Sequence, residues 1–235
     1  MSTAIITGAS HGFGRAVAIE LARTGWDLVI DARGREDLEA AAADIADSGP
    51  GEVDAIAGDV SDDGHAANLV ESAAAHGDFS LLVNNASTLG PSPLPQLAEY
   101  PQGALAEVFA VNVLAPLRLI QLSLPHLRQT EGTVVNITSD AAVEAYRGWG
   151  GYGSSKAALE QISSVLAVEE TGIRVYWLDP GDMNTSMHQA AFPGEDISDR
   201  PDPEDRAPAL VRLLDRGLPS GRYTAELLLS EMVGT

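Results

Sequence analysis

Residues 4–14 read Ala-Ile-Ile-Thr-Gly-Ala-Ser-His-Gly-Phe-Gly. The first four form a short, mostly apolar run typical of a buried strand, and residues 15–23 place apolar side chains at helical spacing. The stretch therefore predicts a strand, a tight glycine turn and a helix. In such a turn the glycine backbone can approach a pyrophosphate closely, and the free amides at the start of the helix attract its charge.

The three glycines of this turn have the spacing G-x-x-x-G-x-G, which differs from the dinucleotide fingerprint G-x-G-x-x-G. No G-K-S/T sequence follows, so the turn is not a P-loop. An ordinary turn between a strand and a helix remains the alternative. The position of the turn directly after the first strand favours nucleotide binding.

Strand and helix patterns alternate along the rest of the chain. Further strands are predicted at 28–30, 53–57, 79–83, 133–138, 173–178 and 223–229, and helices at 36–46, 61–77, 104–129, 152–171 and 207–215. The helix at 61–77 has Ser61 or Asp62 as its expected N-cap. The alternation predicts an α/β fold: a doubly wound parallel sheet of the Rossmann type, in three layers, as a single domain over 1–235. Segment 186–208, rich in Pro, Asp and Glu, is a predicted mobile substrate flap.

The composition argues against several classes of partner. The net charge of −20 is unfavourable for nucleic acid and anionic membrane surfaces, which both need clustered Lys and Arg. The chain has no cysteine, which excludes disulfides and thiolate chemistry, and its five histidines lack the spacing of metal ligands. We therefore predict no metal site. Neither a secretory signal nor a run of membrane-spanning length is visible in the sequence, so we expect a soluble, cytoplasmic protein.

The only lysine of the chain, Lys156, follows Tyr152 by four residues. Residues four apart lie on one face of a helix, so the phenol and the ammonium are expected to face the same space. At about 4 Å and an effective dielectric of about 20, such a cation favours the phenolate by up to about 4 kcal/mol. The pair is a candidate proton donor, with a solvated lysine on a helix surface as the alternative.

Two further positions carry groups that could bind a ligand. Ser139 follows the predicted strand 133–138, at the edge where open α/β sheets bind ligands. Pro116, inside the helix predicted at 104–129, has no amide hydrogen to offer the carbonyl of Asn112. That carbonyl could then bind a water or a ligand, and the alternative is a kink tolerated for packing.

Five motifs stand in order: Thr7-Gly8-x-x-x-Gly12-x-Gly14, Asn84-Asn85-Ala86, Ser139, Tyr152-x-x-x-Lys156 and Pro180-Gly181. Together they resemble the short-chain dehydrogenase/reductase family over nearly the whole chain. The resemblance implies an oxidoreductase that uses NAD or NADP and forms a homodimer or homotetramer. It implies that Tyr152 is the general acid-base and that Ser139 hydrogen-bonds the substrate oxygen. It further implies that Lys156 binds the nicotinamide ribose and lowers the pKa of Tyr152, and that the main-chain carbonyl of Asn112 holds a relay water.

The same resemblance implies a set of cofactor contacts. In this set Asp59 and Val60 contact the adenine, and Asn85 and Ala86 line the cofactor. Pro180, Gly181, Met183 and Thr185 hold the nicotinamide end. The complete set of implied cofactor-binding residues is Gly8, Ser10, His11, Gly12, Phe13, Gly14, Arg33, Asp59, Val60, Asn85, Ala86, Tyr152, Lys156, Pro180, Gly181, Met183 and Thr185.

The chain also departs from the family pattern. Ser87 replaces the glycine that usually ends the Asn-Asn-Ala-Gly motif, and we expect it to narrow the cofactor cleft without touching a chemical group. The C-terminal region lacks the common D-G-G ending, which leaves the tetramer-forming surface undefined. Glu144 and Tyr146 are candidates for lining the substrate pocket, with solvated surface as the alternative.

The end of the second strand bears on the choice of cofactor. In the family pattern, the Asp of NAD-preferring members falls on Ala32 and the Arg of NADP-preferring members on Arg33. Asp31 stands one residue early and, because neighbouring side chains of a strand alternate faces, is expected to point away from the ribose. Arg33 can pair bidentately with a 2′-phosphate, and His11 stands where NADP-preferring members often carry Arg or Lys. We therefore predict NADP(H) over NAD(H).

These features lead to one interpretation, in which the chain transfers a hydride between NADP(H) and a small carbonyl compound or secondary alcohol. Three alternatives remain. The same fold could carry out elimination or epimerisation, the chain could be a non-catalytic sensor of NADP(H), or it could be a purely structural α/β domain. The last of these would leave the single lysine unexplained.

Overall fold

The computed structural model describes residues 2–230 and contains a parallel sheet of seven strands. In chain order the strands are β1 (Ser2–Ile6), β2 (Asp27–Ala32), β3 (Val53–Ala57), β4 (Asp78–Asn84), β5 (Thr133–Ile137), β6 (Arg174–Asp179) and β7 (Gly221–Thr224). Their order in the sheet is β3-β2-β1-β4-β5-β6-β7, and each neighbouring pair is parallel. The winding reverses between β1 and β4, where such sheets open a crevice at the carboxyl ends of the strands.

Helices cover both faces of the sheet. In chain order they are α1 (Gly12–Arg23), α2 (Arg35–Ala46), α3 (Asp63–His76), α4 (Gln102–Phe109), α5 (Ala115–Thr130), α6 (Gly150–Glu169), α7 (Ser186–Ala191), α8 (Pro203–Arg206), α9 (Pro208–Arg216) and α10 (Ala225–Ser230). One core cluster joins the sheet to α1, α2 and α9, and a second joins it to α3, α5 and α6. The predicted doubly wound, three-layer, single-domain fold is confirmed for residues 2–230, whereas Met1 and residues 231–235 lie outside the described range.

Strand side chains alternate between the two core clusters. Ile6 and Ile30 are buried in the cluster that contains α1, whereas Ile5 and Val29 are buried in the cluster that contains α3 and α5. The alternation continues through Asp31, whose carboxylate meets His65 on α3. The orientation of this acidic side chain is therefore set by the period of the strand.

The long helix predicted at 104–129 contains an irregularity. Between α4 and α5 the backbone forms a π-helical turn at Ala110–Leu114, in which the amide of Ala115 bonds to the carbonyl of Ala110. Pro116 follows in the first turn of α5 and is buried. The missing amide hydrogen of Pro116 is thus accommodated by a wider turn centred on Asn112. Turns of this kind occur often at functional sites.

The stretch Gln102–Thr130 is long and apolar enough to cross a membrane, with a mean hydropathy of 1.6. The prediction that no run approaches this length is wrong by that criterion, because the π turn joins α4 and α5 without a break. Leu119, Ile120 and Leu127 of α5 are nevertheless buried against the sheet. Such burial is typical of a core helix of a folded domain.

Several helix starts agree with their capping signals. The α3 N-cap is Asp62, one of the two predicted candidates, and its carboxylate accepts from the amide of His65 at 2.7 Å. Thr185 caps α7 in the same way, with its hydroxyl accepting from the amide of His188 at 3.1 Å. These side chains satisfy amides that a helix start would otherwise leave unpaired.

The strand predicted at 223–229 is wrong in extent. The strand β7 ends at Thr224, and residues Ala225–Ser230 form α10. The hydroxyl of Thr224 accepts from the amide of Leu227 at 3.2 Å and so starts the helix. Ala225 and Leu228, three residues apart, are both buried, which is the spacing of a helix face.

The segment 186–208 holds the short helices α7 and α8. Ile197 anchors it with 5% exposure, and the amide of Asn184 bonds to the carbonyl of Pro201 at 2.9 Å. The last helix predicted, at 207–215, is confirmed as α9. The mobility of this segment stays a prediction.

Candidate active site

A cleft of about 720 Å³ opens at the carboxyl ends of the central strands. It is lined by Gly8, Ser10, His11, Gly12, Phe13, Arg33, Asp59, Val60, Asn85, Ala86, Ser139, Tyr152, Lys156, Pro180, Gly181, Met183 and Thr185. The fold thus brings nearly all the predicted site residues to one surface. The two exceptions are Gly14 and Asn112, which lie behind the lining.

The glycine turn after β1 has the backbone of a phosphate cradle. Gly8 and Gly12 have φ values of 66° and 55°, a region that favours glycine. The N-cap of α1, His11, makes no side-chain capping hydrogen bond, so the first amides of the helix remain available to a ligand. This arrangement fits the pyrophosphate of a dinucleotide.

Gly14 lacks a side chain at a point where the loop after β4 approaches the glycine turn closely. A Cβ at this position would collide with the side-chain amide of Asn85 and the carbonyl of Gly8. That amide donates to the carbonyls of Thr7 at 2.8 Å and Gly8 at 3.1 Å. The loop after β4 is therefore fastened directly to the glycine turn, across the point where the sheet reverses.

Asp31 has both carboxylate oxygens engaged within the fold. One accepts from the amide of Gly8 at 2.7 Å, and the other lies 3.0 Å from Nε2 of His65. Asp31 is only 1% exposed. Its side chain holds the glycine turn in place. The His65 contact could not be predicted from the sequence, because it depends on how α3 packs on β2.

Arg33 lies exposed at the edge of the cleft beyond β2. Among residues 2–230, its guanidinium forms neither a hydrogen bond nor a salt bridge, and it acts on Asp59 only through its charge. Hydrogen bonds from Ser61 hold the pKa of Asp59 below its usual value. His11 is exposed nearby, with Nε2 3.9 Å from the carboxylate of Asp37.

Tyr152 and Lys156 project from α6 into the inner part of the cleft. The Lys156 ammonium lies 5.5 Å from the centre of the Tyr152 ring and donates to the carbonyl of Ile137 at 2.7 Å. It is only 2% exposed, and this burial lowers its pKa to about 8. The ammonium still has two donors to offer a ligand.

The pKa of Tyr152 lies well above its ordinary value. Burial is the main cause, and the negative charges of Asp179 and Asp140 raise it further, whereas hydrogen bonding with Ser87 and Ser139 lowers it. Lys156, which is expected to lower this pKa, is not among the groups that act on it. The site as it stands keeps the phenol protonated.

The Ser139 hydroxyl is engaged with its own loop. It donates to the carboxylate of Asp140 at 2.9 Å and accepts from the amide of Ala141 at 3.2 Å. It also hydrogen-bonds with the Tyr152 phenol. Turning the hydroxyl proton away from Asp140 is therefore enough to direct it at a substrate oxygen beside Tyr152.

The Asn112 side chain fastens the loop after β4 to α6. Its Nδ2 donates to the carbonyl of Thr88 and to the hydroxyl of Ser155, each at 2.9 Å. Its Oδ1 accepts from the amide of Thr88 at 2.8 Å. The residue is fully buried, so its side chain positions the wall of the cleft.

The expectation that Ser87 touches no chemical group is wrong. Its hydroxyl lies 3.2 Å from Oδ1 of Asn112 and interacts with the Tyr152 phenol. A glycine at this position would leave the phenol with one hydroxyl neighbour fewer. The sequence shows Ser87 as a departure from the family pattern. That its side chain points toward Tyr152 is seen only in the folded structure.

Sequence reasoning missed an ion-pair network behind Ser139. The Arg222 guanidinium pairs with Glu160 and with Asp179, each at 2.9 Å, and its Nη2 lies 3.4 Å from the carbonyl of Ser139. Asp179 also accepts from the amide of Gly181 at 2.9 Å. The network joins the ends of β5, β6 and β7, and burial raises the pKa of Asp179.

Glu144 and Tyr146 do not line the cleft, so their alternative as solvated surface applies. Both are exposed, and the Tyr146 hydroxyl donates to Glu144 and to Asp140, each at 2.9 Å. Asp140 itself faces the cleft. Within residues 2–230, no cluster of His, Asp or Glu side chains could hold a metal ion.

Comparison with known proteins gives consistent matches. A family model described as short chain dehydrogenase matches residues 2–196. Serine 3-dehydrogenase of Agrobacterium fabrum is 36% identical over 190 residues, which cover 79% of this chain and 73% of that protein.

Solved structures match over nearly the whole chain. An alcohol dehydrogenase from the archaeon Thermococcus sibiricus, complexed with 5-hydroxy-NADP, has a TM-score of 0.86 and 28% identity, covering 95% of each chain. A short chain dehydrogenase from Shigella flexneri 2a, complexed with NADP, has a TM-score of 0.88 and 27% identity, covering 96% of this chain and 97% of that one.

Proposed function

Since the chain belongs to the short-chain dehydrogenase/reductase family, we propose that it transfers a hydride between NADP(H) and a small carbonyl compound or secondary alcohol. The observation that carries this proposal is the buried Tyr152 phenol, which lines the cleft beside Ser139 with Lys156 near its ring. The relatives are named as dehydrogenases, reductases and oxidoreductases. Elimination, epimerisation, cofactor sensing and a purely structural role are not favoured.

When bound, the cofactor supplies or accepts the hydride at its nicotinamide ring. The uncapped start of α1 would hold its pyrophosphate, and Lys156 would donate to its nicotinamide ribose. Asp59 and Val60 would contact the adenine. The nicotinamide end of the cofactor would rest against the loop after β6, which contains Pro180, Gly181, Met183 and Thr185. The 2′-phosphate of NADP would meet Arg33, whose guanidinium has no other partner among residues 2–230.

In carbonyl reduction, Tyr152 gives its phenolic proton to the carbonyl oxygen, and the rotated Ser139 hydroxyl donates to the same oxygen. The raised pKa keeps the phenol protonated before this step. In alcohol oxidation the Tyr152 phenolate takes the hydroxyl proton instead. The carbonyl of Asn112 is proposed to hold a water through which Tyr152 exchanges its proton with solvent.

We also propose that the protein is a cytoplasmic homo-oligomer. The side chains of Leu114, Val165 and Val168 are 59%, 44% and 78% exposed, so helices on one side of the sheet present apolar surface. We propose that a second copy of the chain covers these side chains. Size-exclusion chromatography with light scattering distinguishes a dimer or tetramer from a monomer.

The proposed activity is tested with purified protein, NADPH and a panel of ketones, aldehydes and keto esters, by following NADPH absorbance and the alcohol formed. One NADPH should be oxidised for each alcohol produced. Consumption of substrate without a change in NADPH would indicate the non-redox chemistry, and tight NADPH binding without turnover would indicate a sensor.

Replacement of Ser87 by glycine is expected to lower kcat for alcohol oxidation by about 2- to 12-fold, with the KM for the cofactor unchanged. The reason is that the Tyr152 phenolate loses one hydrogen bond, which is worth about 0.5–1.5 kcal/mol. Ser87→Thr, which keeps the hydroxyl, serves as the matched control. Equal rates for Ser87→Gly and the wild type would contradict the assigned contact.

Asp179→Asn is expected to shift the pH–rate profile of alcohol oxidation to lower pH. The negative charge of Asp179 raises the pKa of Tyr152, so its removal lets the phenolate form at lower pH. The substitution leaves the side chains of Asp140 and Lys156, which also face Tyr152, unchanged.

Glu160→Gln is the matched control for this shift. Glu160 shares the Arg222 guanidinium with Asp179 but is not among the charges that act on Tyr152. A profile that moves equally in both variants would mean that the network acts through the position of Ser139 and not through the charge of Asp179.

A further inference from the structure

We propose that the substrate of this cleft is an uncharged carbonyl compound with an aromatic ring next to the carbonyl group. The inference rests on the proposed hydride transfer and names the substrate class of the same site. Three features carry it: an apolar cluster separate from the fold's core, a fixed indole face beside Tyr152, and the sign of the charges at this end of the cleft.

The apolar cluster lies around the Tyr152 phenol. Leu89, Ala141 and Tyr152 are each less than a tenth exposed, and they pack with half-buried side chains that include Trp149 and Met187. The cluster is separate from the two large clusters that join the sheet to its helices. It joins the loop after β4, the start of α6 and α7 beside the cleft. We therefore infer that it forms part of the wall against which a substrate packs.

The indole of Trp149 is held in a fixed orientation. Its ring meets Tyr152 edge-on, with centroids 5.7 Å apart and an interplanar angle of 73°. Phe192 supports it from the flap at 6.0 Å, and Tyr146 from the preceding loop at 6.4 Å. Trp149 nevertheless lines the cleft. An aromatic ring entering beside the phenol would find both an apolar surface and a partner for edge-to-face packing.

Charges at this end of the cleft disfavour anions. Asp140 and Asp179 line the cleft, and their negative charges act on the Tyr152 phenol. The Arg222 guanidinium behind Ser139 is already paired with Asp179 and Glu160, and the Lys156 ammonium has a proposed role toward the ribose. Arg33 follows β2, which lies three strands from β5 and Ser139, a distance of about 14 Å at the usual strand spacing. A substrate carboxylate beside Ser139 would therefore meet the negative charge of Asp140, while the Arg222 and Lys156 cations are already engaged.

Four related compounds separate the effect of the ring from that of the charge: methyl benzoylformate, benzoylformate, methyl pyruvate and pyruvate. Each takes up a hydride at the ketone carbon and a proton at its oxygen, and one NADPH is oxidised per hydroxy product. We expect kcat/KM to be highest for methyl benzoylformate. It should exceed kcat/KM for methyl pyruvate by about 10-fold or more, and kcat/KM for benzoylformate by the same factor, which corresponds to about 1.4 kcal/mol.

Two variants tie these preferences to residues. Trp149→Leu should reduce the ratio of kcat/KM between methyl benzoylformate and methyl pyruvate several-fold, whereas Asp140→Asn should reduce the ratio between methyl benzoylformate and benzoylformate. Trp26→Leu is the matched control. Trp26 directly precedes β2, at the amino ends of the strands, and does not line the cleft, so this variant should leave both ratios unchanged. Ratios within one variant do not depend on the fraction of folded enzyme.

The outcomes separate this inference from the proposed function. Turnover of all four compounds without the ring preference, or with benzoylformate as good as its ester, overturns the inference and leaves the hydride transfer standing. If none of the four compounds is reduced but another carbonyl compound of the wider panel is, the inference alone is overturned. If an enzyme that binds NADPH reduces no compound of the whole panel, the proposed hydride transfer is contradicted as well. Unchanged ratios in both variants would show that Trp149 and Asp140 do not set the preferences.

Discussion

Tyr152→Phe is expected to lower kcat by about 10²- to 10⁴-fold while NADPH affinity stays close to that of the wild type. The substitution removes the one proton that the buried phenol transfers and leaves its ring in place against Trp149. General acid-base catalysis typically contributes a factor of this size. The measurement is steady-state carbonyl reduction together with fluorescence titration of NADPH.

Tyr100→Phe is the matched control for the loss of a buried hydroxyl. The Tyr100 hydroxyl is buried, has no hydrogen-bond partner within residues 2–230, and does not line the cleft. This variant should keep its rate. A Tyr152→Phe enzyme that retains more than about a tenth of the wild-type rate would count against proton transfer by the phenol.

Local patterns predicted most of the fold. The strand, glycine turn and helix at the N-terminus follow from short-range periodicity and from backbone conformations that favour glycine. The alternation of strand side chains also predicted that Asp31 turns away from the ribose side, and the side chain is found against α3. The apolar run 227–229 was misread as strand, since such short runs do not distinguish strand from helix.

The parts of the site that sequence reasoning missed are long-range contacts. Arg222 pairs with a residue 43 positions earlier, Asp179, and lies against the carbonyl of Ser139, 83 positions earlier. Ser87 reaches Asn112 and Tyr152 only after β4 and α6 have packed. No spacing in the sequence encodes these distances, because they depend on the order of strands in the sheet.

The choice of cofactor depends on Arg33, and Arg33→Ala is expected to lower kcat/KM for NADPH by about 10- to 150-fold with little change for NADH. The guanidinium would pair with the 2′-phosphate, and loss of hydrogen bonds to a charged group costs about 1.5–3 kcal/mol. Asp31 is a poor competitor for the ribose, since it is only 1% exposed and its two oxygens already bond to Gly8 and His65.

Arg35→Ala is the matched control for this selectivity. Arg35 is two residues away and equally exposed to solvent, but it begins α2 and pairs with Glu39 at 3.5 Å. Its removal takes away the same charge without the proposed phosphate contact, so the ratio of kcat/KM for NADPH to that for NADH should stay near the wild-type value. Equal losses of kcat/KM for NADPH and NADH in Arg33→Ala would instead indicate a general electrostatic effect, since the chain carries a net charge of −20 and both cofactors are anionic. A wild-type preference for NADH would mean that Asp31 leaves its two partners to bind the ribose.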